Sequence, residues 1–291
     1  MYKIGIIGTE NSHAMAFSRI INLPDPILGD VPYPDVKVVG VYGPDMESAR
    51  AIKAETGVDF IAKSRDDFIG KVDAMMITSR KGSVHGEYAM PFIEKGIPLF
   101  IDKPFTSDVR EAENLILAAQ RSGSILCGGS SCRKAYDILM LQNSVRNLRA
   151  SGDLISASMN FAADPDSEYD GFFFYASHLI EMALAVFGHD VRSVICVEKN
   201  KSRLCIWRYD DIDISLHFTK DNYNSSAVIY AKSGNIIRNI DMSLVYHHEV
   251  AQFVQMLRTG IMPEPYENLV LPVRMIAAIV ESAEKRTEVR L

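Results

Sequence analysis

The sequence has no basic stretch, no closely spaced pair of cysteines, and no apolar run of the roughly 18 residues that a membrane-spanning helix needs. The net charge of −6 argues against nucleic acid as a partner, because nucleic-acid-binding proteins present a basic face. The four cysteines show neither a C-x-x-C pair nor a zinc-like spacing. We therefore expect scattered, reduced thiols in a cytoplasmic protein that contacts no membrane. The cysteines are Cys127, Cys132, Cys196 and Cys205.

The two parts of the sequence carry different patterns. The chain has 291 residues, which is enough for about two domains. Through residues 1–126, short apolar runs alternate with amphipathic segments, and this alternation predicts a Rossmann-like, doubly wound parallel sheet. Later strand patterns follow one another without helices between them, and Asp211–Phe218 alternates polar and apolar residues. Residues 127–291 therefore predict an α+β domain with a mainly antiparallel sheet.

An apolar run at Leu99–Ile101 stops abruptly at Asp102, Lys103 and Pro104. Such a short apolar run is typical of a strand that is buried on both faces of a parallel sheet. Pro104 cannot continue the ladder, and it favours an extended conformation of Lys103. The lysine is thereby held at the carboxyl edge of the sheet, where open α/β folds bind their ligands. From this segment alone, a lysine that simply lies at a solvated strand end explains the pattern as well as a lysine that binds a ligand.

The first turn of a dinucleotide-binding domain carries G-x-G-x-x-G, which lets the backbone approach a pyrophosphate at a helix N-terminus. Here Glu10 stands in place of the second glycine, where its charge would repel phosphate, and His13 replaces the third. Asn11 and Ser12 remain good helix caps, so an anion can still bind there. On the residues alone, dinucleotide binding and its loss are equally open. The turn consists of Gly8, Thr9, Glu10, Asn11, Ser12 and His13.

Five short motifs follow one another along the chain. They are Lys3–Gly8 as a first strand, Thr78-Ser79-x5-His85, Ile101-Asp102-Lys103-Pro104-Phe105, the helical segment Tyr175–Glu181 that contains His178, and Phe253–Gly260 with Pro263 and Pro265. In this order and spacing the chain resembles the glucose–fructose oxidoreductase, inositol dehydrogenase and MocA family of NAD(P)-dependent oxidoreductases. The third motif is similar to the family's E-K-P signature, and the fourth to its segment ending H-x-x-D. The resemblance covers nearly the whole chain.

The resemblance implies a nicotinamide cofactor, either NAD or NADP, and a sugar, polyol or related hydroxy compound as substrate. It implies that Lys103 hydrogen-bonds the reacting oxygen and favours the charge that develops there during hydride transfer. It assigns the general acid/base role to His178, and an imidazole pKa of about 6.5 suits that role near neutral pH. The cofactor-binding residues that it implies are those of the first turn together with Thr78, Ser79, His85, Asp102 and Pro104.

The chain departs from the family pattern at the first turn and at two further places. Family members carry an aspartate four residues before the catalytic histidine, where this chain has Phe174. Glu181 and Tyr175 lie one helical turn from His178, so either can orient its imidazole. The second strand lacks the acid that binds the adenosine ribose, although Asp45 follows shortly. These departures leave a second hypothesis open, a catalytically inactive protein that binds or senses a sugar-like ligand.

Three further expectations follow from the residues. Arg133 follows the last strand of the predicted Rossmann-like domain, and it is either a contact to substrate oxygens or a surface charge. His247, His248 and Glu249 open a helix, but no third ligand is in view, so we expect no metal site. The open sheet predicted for the second domain is a natural interface between subunits, so we expect a homodimer or homotetramer.

Overall fold

The computed structural model describes residues 1–291, and the chain forms two compact units. The first unit consists of Met1–Gly129 and Tyr246–Leu269, and the second of Ser130–Val245 and Val270–Leu291. The predicted fold class is confirmed, because the first unit contains a parallel Rossmann-type sheet and the second a mixed, mostly antiparallel sheet. The domain boundary predicted between residues 126 and 127 stays a prediction. No helix is long and apolar enough to cross a membrane.

Strands and helices alternate along the first 129 residues. The elements are β1 (Tyr2–Ile7), α1 (Ser12–Asn22), β2 (Val36–Tyr42), α2 (Met46–Thr56), β3 (Phe60–Ile61), β4 (Ala74–Ile77), α3 (His85–Ile93), β5 (Leu99–Asp102), α4 (Val109–Ser122) and β6 (Leu126–Gly129). All six strands are parallel, in the order β3-β2-β1-β4-β5-β6. The strand order reverses at β1 and β4, and ligands of open α/β sheets bind at the carboxyl ends of such strands.

Local sequence explains where these elements lie. Every residue of β4 and β5 is buried, which accounts for their apolar runs without alternation. Asn11, Asp45 and Asp108 cap the N-termini of α1, α2 and α4 with their side-chain oxygens. Gly57 and Gly123 end α2 and α4 in the left-handed conformation that glycine adopts without strain. Single capping residues therefore mark where these helices begin and end.

The remaining elements are seven strands, which form a second sheet, and four helices. They are α5 (Tyr136–Ser151), β7 (Leu154–Ala162), α6 (Phe173–Phe187), β8 (Ser193–Lys199), β9 (Ser202–Arg208), β10 (Asp213–Thr219), β11 (Ser226–Ala231), β12 (Ile236–Asn239), α7 (Val245–Thr259), α8 (Tyr266–Lys285) and β13 (Val289–Arg290). The strand order is β12-β11-β7-β10-β9-β8-β13, and only β7 and β10 run parallel. Helix α6 packs against α5 and β7 and is buried over most of its length.

The expectation of four scattered, reduced thiols is wrong for Cys196 and Cys205, which form a disulfide, while Cys127 and Cys132 are not disulfide-bonded. Strands β8 and β9 form a hairpin in which the two bonded cysteines lie directly opposite each other. The turn residue Asn200 has a φ of 52°, and the next residue also has a positive φ, as two-residue hairpin turns require. The register of the hairpin, rather than any cysteine motif, brings the two thiols together.

Helix α7 belongs to the first unit, although it follows the second sheet in sequence. Val250 and Phe253 of this helix are fully buried in the first unit's apolar core. The ring of Phe253 lies 6.0 Å from that of Phe100 on β5. Arg258 pairs with Asp35, just before β2. The helix thereby adds side chains to the first unit that the pattern of residues 1–126 does not contain.

Candidate active site

The turn between β1 and α1 is held by a glycine and by contacts with the loop after β4. Gly8 has a φ of +115°, and a Cβ atom there would lie 2.2 Å from the backbone nitrogen of Ser79. Only glycine is compatible with both the conformation and the close approach of the loop after β4. The Asn11 side-chain oxygen accepts a hydrogen bond from the His13 amide at 3.3 Å, and its Nδ2 atom donates to the Thr78 carbonyl at 2.8 Å. The start of α1 is thereby fixed against β4.

The same turn offers amide groups to an anion. The backbone amides of Thr9, Glu10 and Ser12 have no partner within the protein, and they lie at the N-terminal end of α1, where phosphate groups bind readily. The Oε1 atom of Glu10 accepts a hydrogen bond from the Arg80 amide at 3.2 Å, so this carboxylate is held by the loop after β4. The turn therefore fits the phosphates of a dinucleotide, with the Glu10 carboxylate as an opposing charge.

The carboxylate of Asp102, at the end of β5, ties three parts of this region together. Its Oδ2 atom lies 2.6 Å from Nδ1 of His13 and 3.4 Å from Nδ2 of Asn11, and its Oδ1 atom accepts the Lys103 amide at 2.7 Å. Asp102 is fully buried. Burial alone would raise its pKa, but the charges of His13 and Lys103 and the hydrogen bonds hold the pKa below its usual value. The group is therefore ionised at neutral pH.

His13 links this carboxylate to helix α7. Its Nε2 atom lies 2.9 Å from the hydroxyl of Tyr246, and the two rings are packed edge to face. His13 is 6% exposed, so the imidazole fills the space that a glycine would leave between α1 and the sheet. The substitution at the third glycine position therefore connects buried Asp102, through His13, to the half-buried Tyr246. Sequence reasoning named the first two of these residues and missed Tyr246, which is 233 positions from His13.

Lys103 is 3% exposed and directly follows β5, and its peptide bond to Pro104 is cis. The lysine thus lies at the carboxyl edge of the sheet, as its sequence context predicts. Thr78 directly follows the neighbouring strand β4, and its hydroxyl lies 3.1 Å from the carbonyl of Ile7. The catalytic role of Lys103 and the cofactor-binding role of Thr78 stay predictions.

His85 ties together the loops that follow β4 and β5. Its Nε2 atom lies 2.8 Å from the Ser79 carbonyl, and its Nδ1 atom lies 3.3 Å from the Phe105 carbonyl. Complete burial lowers the pKa of His85, so the ring is neutral at neutral pH. A Cβ atom on Gly82 would lie 2.5 Å from Cγ of Pro104, so the two loops are in close contact. His85 and Ser79 hold these loops in place, and their predicted contact with a cofactor stays a prediction.

In the second unit, the imidazole of His178 contacts two groups on the segment before α5. The Nδ1 atom of His178 lies 2.7 Å from the hydroxyl of Ser130 and 3.3 Å from the thiol of Cys132. The rings of Phe161 and Tyr175 pack edge to face on the imidazole at 5.6 and 5.1 Å. His178 is 6% exposed. Of these four neighbours, sequence reasoning named only Tyr175.

Glu181 contacts the same segment. Its Oε2 atom accepts the Ser130 amide at 2.8 Å and lies 3.4 Å from Nε of Arg133. Both side chains are buried or nearly so, at 3% and 11% exposed. The sequence left two interpretations of Arg133, a contact to substrate oxygens and a surface charge. In the structure Arg133 is paired with the buried carboxylate of Glu181. Glu181 contacts Ser130, and Ser130 in turn contacts His178. The supporting role of Glu181 stays a prediction, in which it acts on the histidine through Ser130.

A cavity of about 300 Å³ lies in the second unit beside Tyr175, the residue that packs on His178. Its wall contains the aromatic rings of Phe174, Tyr175 and Tyr223 together with several carboxylates. The carboxylates are those of Asp164, Asp166, Glu168 and Asp221. Asp164 and Asp166 pair with lysines, so part of this negative charge is compensated. Tyr175 belongs both to the cavity wall and to the packing around His178.

Ser130 and Cys132 were missed because no sequence motif marks them. They follow Gly128 and Gly129 in the segment GGSSC, and only the fold brings them to a helix that begins more than 40 residues later. The sequence holds one indication that such residues exist, the phenylalanine at position 174 in place of the expected aspartate. A buried histidine that lacks this carboxylate needs another hydrogen-bond partner.

One family model matches the first part of the chain. Residues 2–130 match the GFO_IDH_MocA family model, described as an oxidoreductase family with an NAD-binding Rossmann fold. No curated protein sequence matches the chain. The family resemblance noted from the sequence motifs is therefore confirmed for the part of the chain that forms the Rossmann sheet.

Solved structures share the fold over the whole chain. A probable dehydrogenase from Thermotoga maritima has a TM-score of 0.81 at 17% identity, covering 99% of this chain and 98% of its own. A myo-inositol dehydrogenase from Corynebacterium glutamicum has a TM-score of 0.81 at 18% identity, covering 100% and 99%. A scyllo-inositol dehydrogenase from Lactobacillus casei, solved with NAD(H) and scyllo-inositol, has a TM-score of 0.80 at 15% identity, covering 100% and 99%. At these identities the likeness concerns the fold alone.

Proposed function

Residues 2–130 match the model of an oxidoreductase family with an NAD-binding Rossmann fold, and from this match we propose that the chain transfers a hydride between a nicotinamide cofactor and a sugar, polyol or related hydroxy compound. The observation that carries the proposal is the state of the β1–α1 turn. Gly8 keeps the conformation that the turn requires, and the amides at the start of α1 are available to phosphate although two of the three glycines are absent.

The residues that would hold the cofactor lie in the first unit. The phosphates would bind the amides of Thr9, Glu10 and Ser12. Asp45 caps α2 just after β2. Its carboxylate accepts the Ser48 hydroxyl and the amides of Glu47 and Ser48, and these hydrogen bonds keep its pKa below the usual value. An ionised carboxylate after the second strand favours ribose hydroxyls and repels a 2′-phosphate, so we propose NAD rather than NADP.

Two side chains would act on the substrate. A bound nicotinamide supplies or takes up the hydride. Lys103 would donate a hydrogen bond to the reacting oxygen and stabilise the negative charge that develops on it. His178 would take the hydroxyl proton when the substrate is oxidised and return it when the substrate is reduced. Arg133 and Glu181 would support the second unit's part of this machinery through their contacts with the Ser130 segment.

The second unit supports a polyol or sugar as substrate. Its cavity combines flat aromatic rings, on which the apolar face of a sugar packs, with carboxylates that accept hydrogen bonds from hydroxyl groups. Its sheet exposes apolar side chains on one face, which supports a homodimer or homotetramer built on that face. These side chains are Val197, Leu204, Ile206, Tyr230 and Ile237. The need for a nicotinamide cofactor supports a cytoplasmic setting.

A catalytically inactive protein that binds a sugar-like ligand is the second candidate, because the Glu10 carboxylate opposes phosphate at the turn. A substrate screen distinguishes the two. Purified protein, freed of any cofactor that it carries, is assayed with NAD and NADP against polyols and sugars. We expect NAD-dependent turnover that Lys103→Ala removes while the circular dichroism spectrum is unchanged. Lys95→Ala, on an exposed position of the first unit, is the control. Unchanged kcat in Lys103→Ala would contradict the role of the lysine.

A further inference from the structure

The hydroxyl of Ser130 has a single acceptor within reach. Ser130 is fully buried, so water does not reach it. Its Oγ atom has two hydrogen-bond contacts, the amide of Cys132 at 3.2 Å and Nδ1 of His178 at 2.7 Å. The Cys132 amide can only donate, so it uses a lone pair of the hydroxyl oxygen. The hydroxyl proton must therefore point at Nδ1 of His178, or it remains buried without a partner.

The second neighbour of the same nitrogen agrees with this direction. The Cys132 thiol lies 3.3 Å from Nδ1, and a thiol is both a weak donor and a weak acceptor. Because the thiol can donate or accept, its position is compatible with a ring nitrogen whose single lone pair accepts the Ser130 hydroxyl proton. Other groups close to this cluster include the rings of Phe161 and Tyr175, packed on the imidazole, and the Glu181–Arg133 pair, held on the backbone amide of Ser130.

We infer that Ser130 is a positioning residue that holds the neutral imidazole of His178 in the tautomer with its proton on Nε2. A carboxylate in the same place would do the opposite, because it can only accept and would therefore keep the proton on Nδ1. The chain has Phe174 where an aspartate was expected, and the serine thus replaces the missing carboxylate with a partner of reversed polarity.

The catalytic consequence rests on the proposed function, whereas the tautomer itself does not. With Nδ1 engaged by Ser130, the ring meets a substrate through Nε2. In its neutral form His178 then donates a hydrogen bond to the substrate oxygen. To accept a hydroxyl proton at Nε2, the ring must first carry its proton on Nδ1, and the Ser130 hydroxyl must rotate so that its oxygen accepts that proton.

The tautomer can be read directly in the cofactor-free protein. Histidine labelled with ¹⁵N in the ring is observed by long-range ¹H–¹⁵N correlation at pH about 9, well above an ordinary imidazole pKa of about 6.5. His178→Gln assigns the resonances among the seven histidines. We expect wild-type His178 to carry its proton on Nε2. We expect a larger fraction of His178 with its proton on Nδ1 in Ser130→Ala than in the wild-type protein. Ser130→Thr, which keeps the hydroxyl, should restore the wild-type pattern.

A matched control and an activity measurement complete the test. Ser131→Ala removes the neighbouring buried hydroxyl and should leave the spectrum unchanged. A wild-type proton on Nδ1, or an unaltered His178 signal in Ser130→Ala, would overturn the inference. If a substrate is found, kcat/KM for its reduction, the direction in which Nε2–H faces the substrate oxygen, should fall about two- to tenfold in Ser130→Ala, the effect of one hydrogen bond, and recover in Ser130→Thr. An unchanged kcat/KM would overturn the catalytic consequence, and failure to find any substrate would count against the proposed function alone.

Discussion

The Nδ1 atom of His13 lies 2.6 Å from Oδ2 of Asp102, and neither side chain is more than 7% exposed. This pair joins the start of α1, where a cofactor's phosphates would bind, to the residue before Lys103. A histidine at the third glycine position therefore does more than fill space. It supplies the partner that a buried, ionised carboxylate at the end of β5 needs, and it passes the contact on to Tyr246 of α7.

Asp102→Asn should destabilise the first unit strongly. Removing one partner of a buried pair leaves the other without compensation, and we expect a loss of about 3 kcal/mol in the free energy of unfolding. Urea denaturation at pH 7, followed by circular dichroism, measures it. Asp35→Asn, which breaks the half-exposed pair with Arg258, is the control and should have a much smaller effect. Equal losses in the two variants would contradict the importance of the buried pair.

The contribution of Asp102 should disappear in acid. Because its pKa is lower in the folded than in the unfolded protein, the stabilisation is fully present above the unfolded pKa of about 3.9 and is lost as the pH falls through the folded value. The stability difference between wild type and Asp102→Asn should therefore narrow only below about pH 4. Urea titrations between pH 7 and pH 2.5 test this. A difference that stays constant over the whole range would contradict the assigned ionisation.

Alkylation should detect two reactive thiols under denaturing, non-reducing conditions, since Cys127 and Cys132 are outside any disulfide and the other two cysteines are bonded to each other. Mass spectrometry after treatment with iodoacetamide counts the adducts. Prior reduction should raise the count to the full four cysteines of the chain. Cys196→Ser should free the Cys205 thiol and give three adducts without reductant. Four adducts in the unreduced wild type would show that the hairpin cysteines are not paired.

Gly8→Ala should abolish folding or cofactor binding, because a Cβ atom would lie 2.2 Å from the Ser79 nitrogen. Gly57→Ala is the matched control, since Gly57 also has a positive φ, of +67°, but nothing lies within 4 Å of its Cβ position. We expect the control to cost only about 1 kcal/mol in the free energy of unfolding, measured by urea denaturation. Equal effects of the two changes would show that conformation, and not the approach of the β4 loop, limits position 8.

The strands of the Rossmann sheet could be predicted because buried parallel strands are short, uniformly apolar runs between clear helix caps. Lys103 could be placed at the sheet edge for the same reason, since Pro104 ends the run. Helix α7 could not be assigned to the first unit, because its apolar stripe shows that it packs against something but not against which sheet. The Cys196–Cys205 pair depended on the two-residue turn at Asn200, whose positive φ values the composition alone does not indicate.

The site around His178 was only half predictable. Its helix and the absence of an aspartate at position 174 are visible in the sequence. Its partners Ser130 and Cys132 come from a segment before α5, and nothing in local periodicity connects them to α6. Glu181 was expected to contact the histidine because residues three apart share a helix face, yet its carboxylate bonds the Ser130 amide and pairs with Arg133. Side-chain geometry across elements, rather than spacing along one helix, determines this arrangement.

The most direct test of the central claim is a titration of cofactor-free protein with NADH, followed by nicotinamide fluorescence and calorimetry, with NADPH in parallel. The account predicts micromolar binding of NADH, weaker binding of NADPH, and no binding of either by a folded Gly8→Ala protein while Gly57→Ala binds normally. The absence of NADH binding by the wild-type protein at millimolar concentration would contradict the account, and it would leave a sugar-binding protein without redox chemistry as the better description.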